Sequence, residues 1–454
     1  MPYEPGGSAG ELLALLECSG PLTRSDLVRL SGLPRTTVTG MVGDLISRDL
    51  IVERTAGQAD RAVQAGRPPR TLASAAPPTV TAVLSCGRSG IEAALVTYPG
   101  QIIARQSSTE VVAYQVADLA SIAAPVGDLV EELLIGSGCS WDQLGCAVIG
   151  LPRPVSPGQS AGAVADRLAV PVHVENDANL GTLGEAAFGA GRGHDSFVYV
   201  TLGHNVGAGL VIGGRLHRGA SGFGGELAHV QVRDDGDLCS CGGRGCLAAI
   251  VGSSLLDYVR LSTEEQLALP QMLALAAERD PGVRRVFADL GRLVGRPLAS
   301  FCTMFDPGAV VVDGSLGAAG QYVLAGVRES IDRHTAPVVA DSVRVITGEL
   351  GDRAELLGGA ALARDLRLAA VRGARAHRLP RLAGGGRLIR LTGGPDLGQD
   401  HRAVAVQQDP VIGVPGDGAR QHLGLDVTAG LDQPIRAVGM VHPDQALLDD
   451  RALV

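Results

Sequence analysis

Three cysteines and three glycines share the eight positions of CSCGGRGC, residues 239–246. The other five of the chain's eight cysteines, Cys18, Cys86, Cys139, Cys146 and Cys302, are scattered along it. Any disulfide pairing within the octapeptide leaves one thiol over, and Cys239 and Cys241 are too close along the chain to bridge comfortably. The segment therefore reads as a metal-binding loop whose fourth ligand comes from elsewhere. Scattered thiols without a disulfide framework point to a reducing cytoplasm.

A chain of 454 residues is long enough for two or three domains with cores of their own. Charged residues make up 19% and hydrophobic ones 45%, a globular balance, while 3% aromatics are too few for a platform that stacks single-stranded nucleic acid. No apolar stretch is long enough to cross a bilayer. The opening MPYEPGGSAGELL has no basic region followed by an apolar run, so no signal peptide is expected. The net charge of −9 does not attract nucleic acid in bulk. The chain contains no lysine, which carries no functional message.

Residues 1–75 nevertheless read as a unit. SAGE (8–11) is a capping-box pattern, with Ser8 as cap and Glu11 reaching back, ahead of leucines at 12, 13, 15 and 16. TRSD (23–26) opens a second short helix in the same way, with Leu27 and Leu30 inward and Gly32 at its end. From Arg35 a third helix places Val38, Met41, Val42, Leu45 and Ile46 on one face. Arg35, Thr36, Thr37 and Thr39 begin the opposite face. Two helices joined by a glycine turn, the second offering polar residues at its start, describe a helix-turn-helix. DLIVERT and PPRTLAS supply the strands of a wing, with AGRPPR (65–70) near its tip or in the linker behind it. Prolines stiffen the backbone around Arg67, as an arm entering a minor groove requires. Eight acidic and eight basic residues balance over 1–75, so a small protein-binding three-helix module is the competing reading.

Past an Ala/Pro-rich joint (ASAAPPTV, 73–80), strands and helices alternate. Residues 80–105 read as three strands with glycine turns, followed by a helix around 117–135, a strand at 146–152, a short helix and a strand at 170–175. A β-branched hairpin covers 197–216, helices dominate 246–305, a strand and turn occupy 309–316, and the last clear helix is 353–368. Such a pattern predicts an α/β domain in two lobes with a cleft between them.

The order of motifs over residues 8–368 resembles the ROK family of bacterial repressors and sugar kinases. VENDANLGTLGEAAFGAGRG (174–193), and GGELAHV followed by CSCGGRGC, are similar to that family's diagnostic segments; LPRTTVTGMV with GRPPRTL resembles the DNA-binding part of its repressor branch. The resemblance implies a two-lobed actin-like (hexokinase-type) domain over 76–370 behind a winged helix-turn-helix over 1–75, assembled as a homodimer or homotetramer. It also implies a double-stranded DNA operator as partner and a sugar or sugar-phosphate effector. His229 completes H-x9-C-x-C-x4-C with Cys239, Cys241 and Cys246, a closed ligand set typical of structural zinc.

Asn176, Asp177, Glu226 and His229 stand where sugar-handling relatives contact sugar hydroxyls, and Asp177 matches the general base of the kinases. Ala248 replaces a sugar-contacting glutamate, and the segment between GLPRPV and VENDAN is short. The phosphate site departs further from the kinase pattern. Ser85 stands where an aspartate orders magnesium, Arg88 replaces a glycine, His204 and Asn205 intrude in the second phosphate loop, and Asp313 replaces a glycine near the adenosine position. These losses favour a DNA-binding repressor without catalytic residues over a sugar kinase acting on a hexose or amino sugar. A regulator blind to sugar is the third reading. Residues 371–454 contain no aromatic, glutamate, serine or cysteine and are expected to form a poorly ordered tail.

Overall fold

The computed structural model describes residues 8–55, 70–87, 90–108, 119–156, 158–159, 161–202, 206–251, 269–313, 316 and 319–378. Arg67, Arg88, His204, Asn205 and the tail beyond Arg378 lie outside the described residues.

The first unit comprises helices α1 (Ser8–Ser19), α2 (Arg24–Ser31) and α3 (Arg35–Ser47) with strands β1 (Leu22–Thr23), β2 (Ile51–Thr55) and β3 (Arg70–Ser74). The capping box expected at TRSD forms: Asp26 N–H donates to Thr23 Oγ1 at 3.2 Å, and Thr23 N–H donates to Asp26 Oδ2 at 3.1 Å. Gly32 ends α2 at φ +66°, a left-handed conformation that glycine adopts without penalty. That turn lets Leu12, Leu15, Leu16, Leu27, Val38, Val42 and Leu45 meet Ile51 and Leu72 in one buried cluster. Strands β2 and β3 pair antiparallel from Ile51↔Ser74 to Thr55↔Arg70, and β1 pairs β3 on its other edge.

The remaining strands form two five-stranded sheets. Lobe 1 holds β4 (Val80–Gly87), β5 (Gly90–Thr97), β6 (Ile102–Ser108), β7 (Leu144–Leu151) and β8 (Val172–Asn176) in the order β6-β5-β4-β7-β8. Lobe 2 holds β9 (Phe197–Leu202), β10 (Val206–Ile212), β11 (Arg215–Leu216), β12 (Ala309–Val312) and β13 (Arg344–Thr347) in the order β11-β10-β9-β12-β13. Each sheet is an antiparallel meander extended by two parallel strands, so the same topology occurs twice.

Helices α4 (Ala123–Ser137) and α5 (Gly162–Leu168) cover the outer face of lobe 1. Helices α7 (Leu269–Ala277), α8 (Pro281–Phe305), α9 (Gly320–His334) and α10 (Pro337–Ser342) belong to lobe 2, and its outer core includes Phe287, Val294, Val323 and Val327. Between the two sheets lie α6 (Asp177–Phe188) and α11 (Ala354–Arg378). The core there joins Val83 and Val96 of lobe 1 to Tyr199 and Val311 of lobe 2 through Leu356, Leu357 and Ala360 of α11. The two helices cross closely: a Cβ on Gly358 would lie 1.7 Å from the Leu180 carbonyl oxygen, and one on Gly184 would lie 2.1 Å from that of Ala354.

The last helix runs ten residues further than the 353–368 expected, to Arg378, and crosses the domain boundary set at 370. Residues up to Leu379 form one compact unit. Packing accompanies the start of the extension: Val371 is buried and Arg372 pairs with Glu11 of α1 at 3.6 Å, beyond Leu368 in the core of the first unit and Arg367, which pairs with Glu17 at 3.4 Å.

Candidate functional site

Lobe 1 delivers Asn176 and Asp177 where β8 runs into α6. Asn176 is the helix N-cap, its Oδ1 accepting from Asn179 N–H at 2.9 Å. Its Nδ2 donates to Asp177 Oδ1 at 3.0 Å and to the Arg153 carbonyl at 3.3 Å. The Asn176 side chain is thus heavily engaged within the fold. Asp177 Oδ1 also accepts from Ala178 N–H at 2.7 Å.

Lobe 2 delivers Glu226 and His229 on the segment after β11. Burial, then the facing Glu226 charge, hold Asp177 above the usual carboxylate range, with the Ala178 N–H offsetting part of the shift. Burial raises Glu226 as well, against the pull of His229. Asp177 thus faces Glu226 of the other lobe, Glu226 faces His229 of its own segment, and Asn176 holds Asp177 in place. The sequence reading missed a tie between the lobes: Arg218 Nε donates to the buried Glu175 carboxylate at 2.6 Å. Glu175 also accepts from Asn176 N–H and from Asn179 Nδ2, at 3.0 and 2.9 Å. Glu175 sits beside Asn176 in sequence, but nothing local announces Arg218 as its partner.

Ser85 lies on strand β4, two residues before its end. Its hydroxyl donates to Glu355 Oε2 at 2.7 Å, across 270 residues of sequence. Part of the Glu355 side chain still reaches solvent, but its Oε1 is buried and has no hydrogen-bond partner. Burial, then the Asp177 charge, push Glu355 up to about 8 despite the Ser85 hydrogen bond. Asp313 is buried and accepts from Thr201 Oγ1 at 3.1 Å. Ala248 packs against the lobe 2 core.

The octapeptide loop follows the same segment. His229, Cys239, Cys241 and Cys246 bring their ligand atoms within 4.8 Å of one another. Bonds of about 2.3 Å to sulfur and about 2.05 Å to nitrogen in a tetrahedron set sulfurs about 3.8 Å apart and sulfur and nitrogen about 3.55 Å apart. Cys241 and Cys246 are 3.7 Å apart, and Cys239 Sγ is 3.5 Å from His229 Nδ1, so the four side chains can hold an ion of that size. Gly245, at φ +63°, makes the turn possible, because a Cβ there would lie 1.7 Å from the Arg233 carbonyl oxygen. Gly243 N–H donates to Cys241 Sγ at 3.4 Å.

In the first unit Arg35, Thr36 and Thr39 are exposed on α3 and Thr37 is half-buried. Thr39 Oγ1 donates to the Arg35 carbonyl at 2.8 Å. Gly40 and Gly43 have open space where a side chain would stand. The polar start of α3 therefore continues into a face without side-chain bulk.

Duplicated sheets around a cleft, two crossing helices between them and a winged three-helix unit define an actin-like, hexokinase-type protein with an N-terminal helix-turn-helix-like unit. The ROK family model matches residues 83–366, and the chain belongs to that family. It is 26% identical to the xylose repressor of Bacillus subtilis over 371 residues, 76% of this chain and 92% of the repressor. It is 35% identical to the glucokinase of Streptomyces coelicolor over 226 residues, but that match spans 44% of this chain and 70% of the kinase. A solved ROK family transcriptional regulator, a homologue of the Escherichia coli MLC protein, superposes with a TM-score of 0.64 at 25% identity, covering 81% of this chain and 97% of its own.

Proposed function

We propose that the chain is a DNA-binding transcriptional repressor whose cleft reads a sugar-class effector and transfers no phosphate. The observation that carries this reading is the pairing of a winged three-helix unit with a cleft in which Ser85 is bonded to Glu355. An aspartate that orders hydrated magnesium needs its charge free for the ion. A serine donating to a buried carboxyl has no such charge. The extent of similarity to the xylose repressor, 76% of this chain, supports the same reading.

Arg35, Thr36, Thr37 and Thr39 approach base edges in a major groove, and Arg67 enters the adjoining minor groove. A symmetric homodimer, or a homotetramer built from two, then prefers an inverted repeat. Asp177, Glu226 and His229 bind sugar hydroxyls, with weak affinity because Ala248 supplies no acceptor. His229, Cys239, Cys241 and Cys246 hold one structural zinc, which fixes the segment carrying Glu226. Among the described residues no helix is long and apolar enough to cross a membrane, in keeping with a cytoplasmic regulator.

A sugar kinase is the second reading, favoured by the 35% identity to a glucokinase and by Asp177. Two measurements separate them. Genomic fragments captured by the purified protein are expected to share an inverted repeat, and Arg35→Ala and Arg67→Ala are expected to weaken binding to it. Phosphate transfer from ATP to a panel of hexoses and amino sugars is expected to stay at background. Turnover on any of these sugars sinks the repressor-only reading, and undiminished binding by both arginine variants sinks the docking.

A further inference from the structure

We propose that α11 is a relay that carries the charge state of the cleft floor to the DNA-binding unit, with Glu355 at one end and Arg367, Leu368 and Arg372 at the other. The inference rests on the reading of the first unit as DNA-binding, but not on any particular sugar or operator.

Three observations place the relay. At the cleft end, Glu355 stands in the first turn of α11, held by Ser85 and facing Asp177, with Oε1 buried and unpartnered. A buried acceptor without a donor is a poorly settled arrangement, and protonation relieves it. At the far end, Arg367 pairs with Glu17 and Arg372 with the buried Glu11, both on α1, while Leu368 enters the core of the winged unit. Between the ends, Cys18 of α1 shares a buried cluster with Ala363 of α11, Leu180 of α6 and Val148 of β7. The helix that starts at Asp177 therefore touches both the relay and the base of the DNA-binding unit.

Among the described residues, the charges that act on Glu355 share one tendency. Asp177 from α6 and Glu92 from β5 oppose its ionisation, and its own charge is felt by Cys86 of β4 and Tyr199 of β9. Arg105, which pairs with Glu92, is also engaged by Asp352. Among the described residues, ionised Glu355 has only the Ser85 hydroxyl in its favour. A hydroxyl ligand bonded to Asp177 fixes the charge there and the proton on Glu355, which keeps the first turn of α11 seated. Loss of that proton sets two carboxylates against each other and drives the turn away from α6. Close backbone contact at Gly358 and Gly184 leaves no slack, so α11 moves as a rod and its far end shifts under α1.

Amide hydrogen exchange on the full chain tests this without DNA or sugar, so its failure is distinct from failure of the functional reading. The ordinary pKa of glutamate lies below the folded value, so native stability is highest at low pH and falls as pH rises through about 8. Between those two values each pH unit corresponds to a loss of about tenfold in protection, levelling off above about 8, after correction for intrinsic exchange rates. That loss is expected between pH 6.5 and 9 in α1 as well as in α11. Glu355→Gln is expected to be flat with pH in both. Arg367→Ala is expected to keep the response in α6 and the first turn of α11 while losing it in α1. Ser85→Ala removes the only bond that favours ionised Glu355, so it is expected to move the midpoint upward. A flat α1 in the parent, an undiminished response in Glu355→Gln, or an unmoved midpoint in Ser85→Ala each overturns the relay.

Discussion

Replacing Gly358 by alanine is expected to be among the most damaging single-methyl additions in this chain. The new Cβ would stand 1.7 Å from the Leu180 carbonyl oxygen, 2.5 Å from its carbonyl carbon and 3.0 Å from its Cα. Ordinary carbon–oxygen contact is roughly 3.3 Å, so the helices must part by about 1.6 Å, and no side-chain rotation relieves a backbone clash. A radial gap of about 1 Å already forfeits up to half of each dispersion contact. The crossing is lined by Leu180, Ala354, Leu357 and Ala361, all buried. Losing half the contacts of roughly two leucine-sized groups comes to about 4 kcal/mol, beyond the ~1–3 kcal/mol usual for overpacking. The same substitution at Gly136, near the end of α4 with nothing within 4 Å, is the control. There alanine is expected to stabilise by a few tenths of a kcal/mol, up to ~0.5 kcal/mol, through helix propensity alone. Urea unfolding of both variants, followed by circular dichroism, separates the cases. A Gly358→Ala protein within about 1 kcal/mol of its parent would refute the close crossing on which the rigidity of α6 and α11 depends.

Purified protein is expected to carry about one zinc per chain. Cys241→Ser should lose it in metal analysis while Cys18→Ser, which lies in the cluster under α1, should keep it. Thr23→Ala removes the two hydrogen bonds of the Thr23 hydroxyl, leaving its backbone N–H on Asp26, and is expected to destabilise the winged unit by ~1 kcal/mol, read as a lower melting temperature; no change would show that α2 is held by packing alone. Glu185 is fully buried and accepts from the backbone N–H groups of Ala190, Glu349 and Leu350 at 2.7, 3.2 and 3.0 Å. Glu185→Leu strands these donors and is expected to cost at least ~3 kcal/mol in urea unfolding, whereas Glu185→Gln should cost less because an amide oxygen still accepts.

Much of the winged unit was legible because its determinants lie within a few residues of one another. Thr23 and Asp26 are three apart, Gly32 closes the helix it follows, and the apolar positions of α3 recur at helical spacing. The metal loop was legible for the same reason, since its cysteines lie in one octapeptide and only His229 had to be found ten residues away. The strands of both lobes, β13 excepted, also fall close to where the β-branched runs and glycine turns put them. Their pairing into two sheets of identical order was not readable, because parallel neighbours such as β4 and β7 are joined only across long connections.

Local patterning thus determined the elements, the capped turn and the His/Cys cluster that could hold a metal ion. What the tertiary structure alone decided is the use made of residues with no local signature. Glu355 reads in sequence as one more helix-forming glutamate, and its burial against Ser85 and Asp177 exists only because α11 crosses α6 beneath the cleft. Glu11, a capping candidate by spacing, faces Arg372 instead of standing only as a cap, and so anchors the start of the chain to the far end of the last helix. Arg218 meets Glu175 from the opposite lobe. Burial and partnership between residues far apart in the chain are set by packing, and packing follows from the sum of all the buried faces.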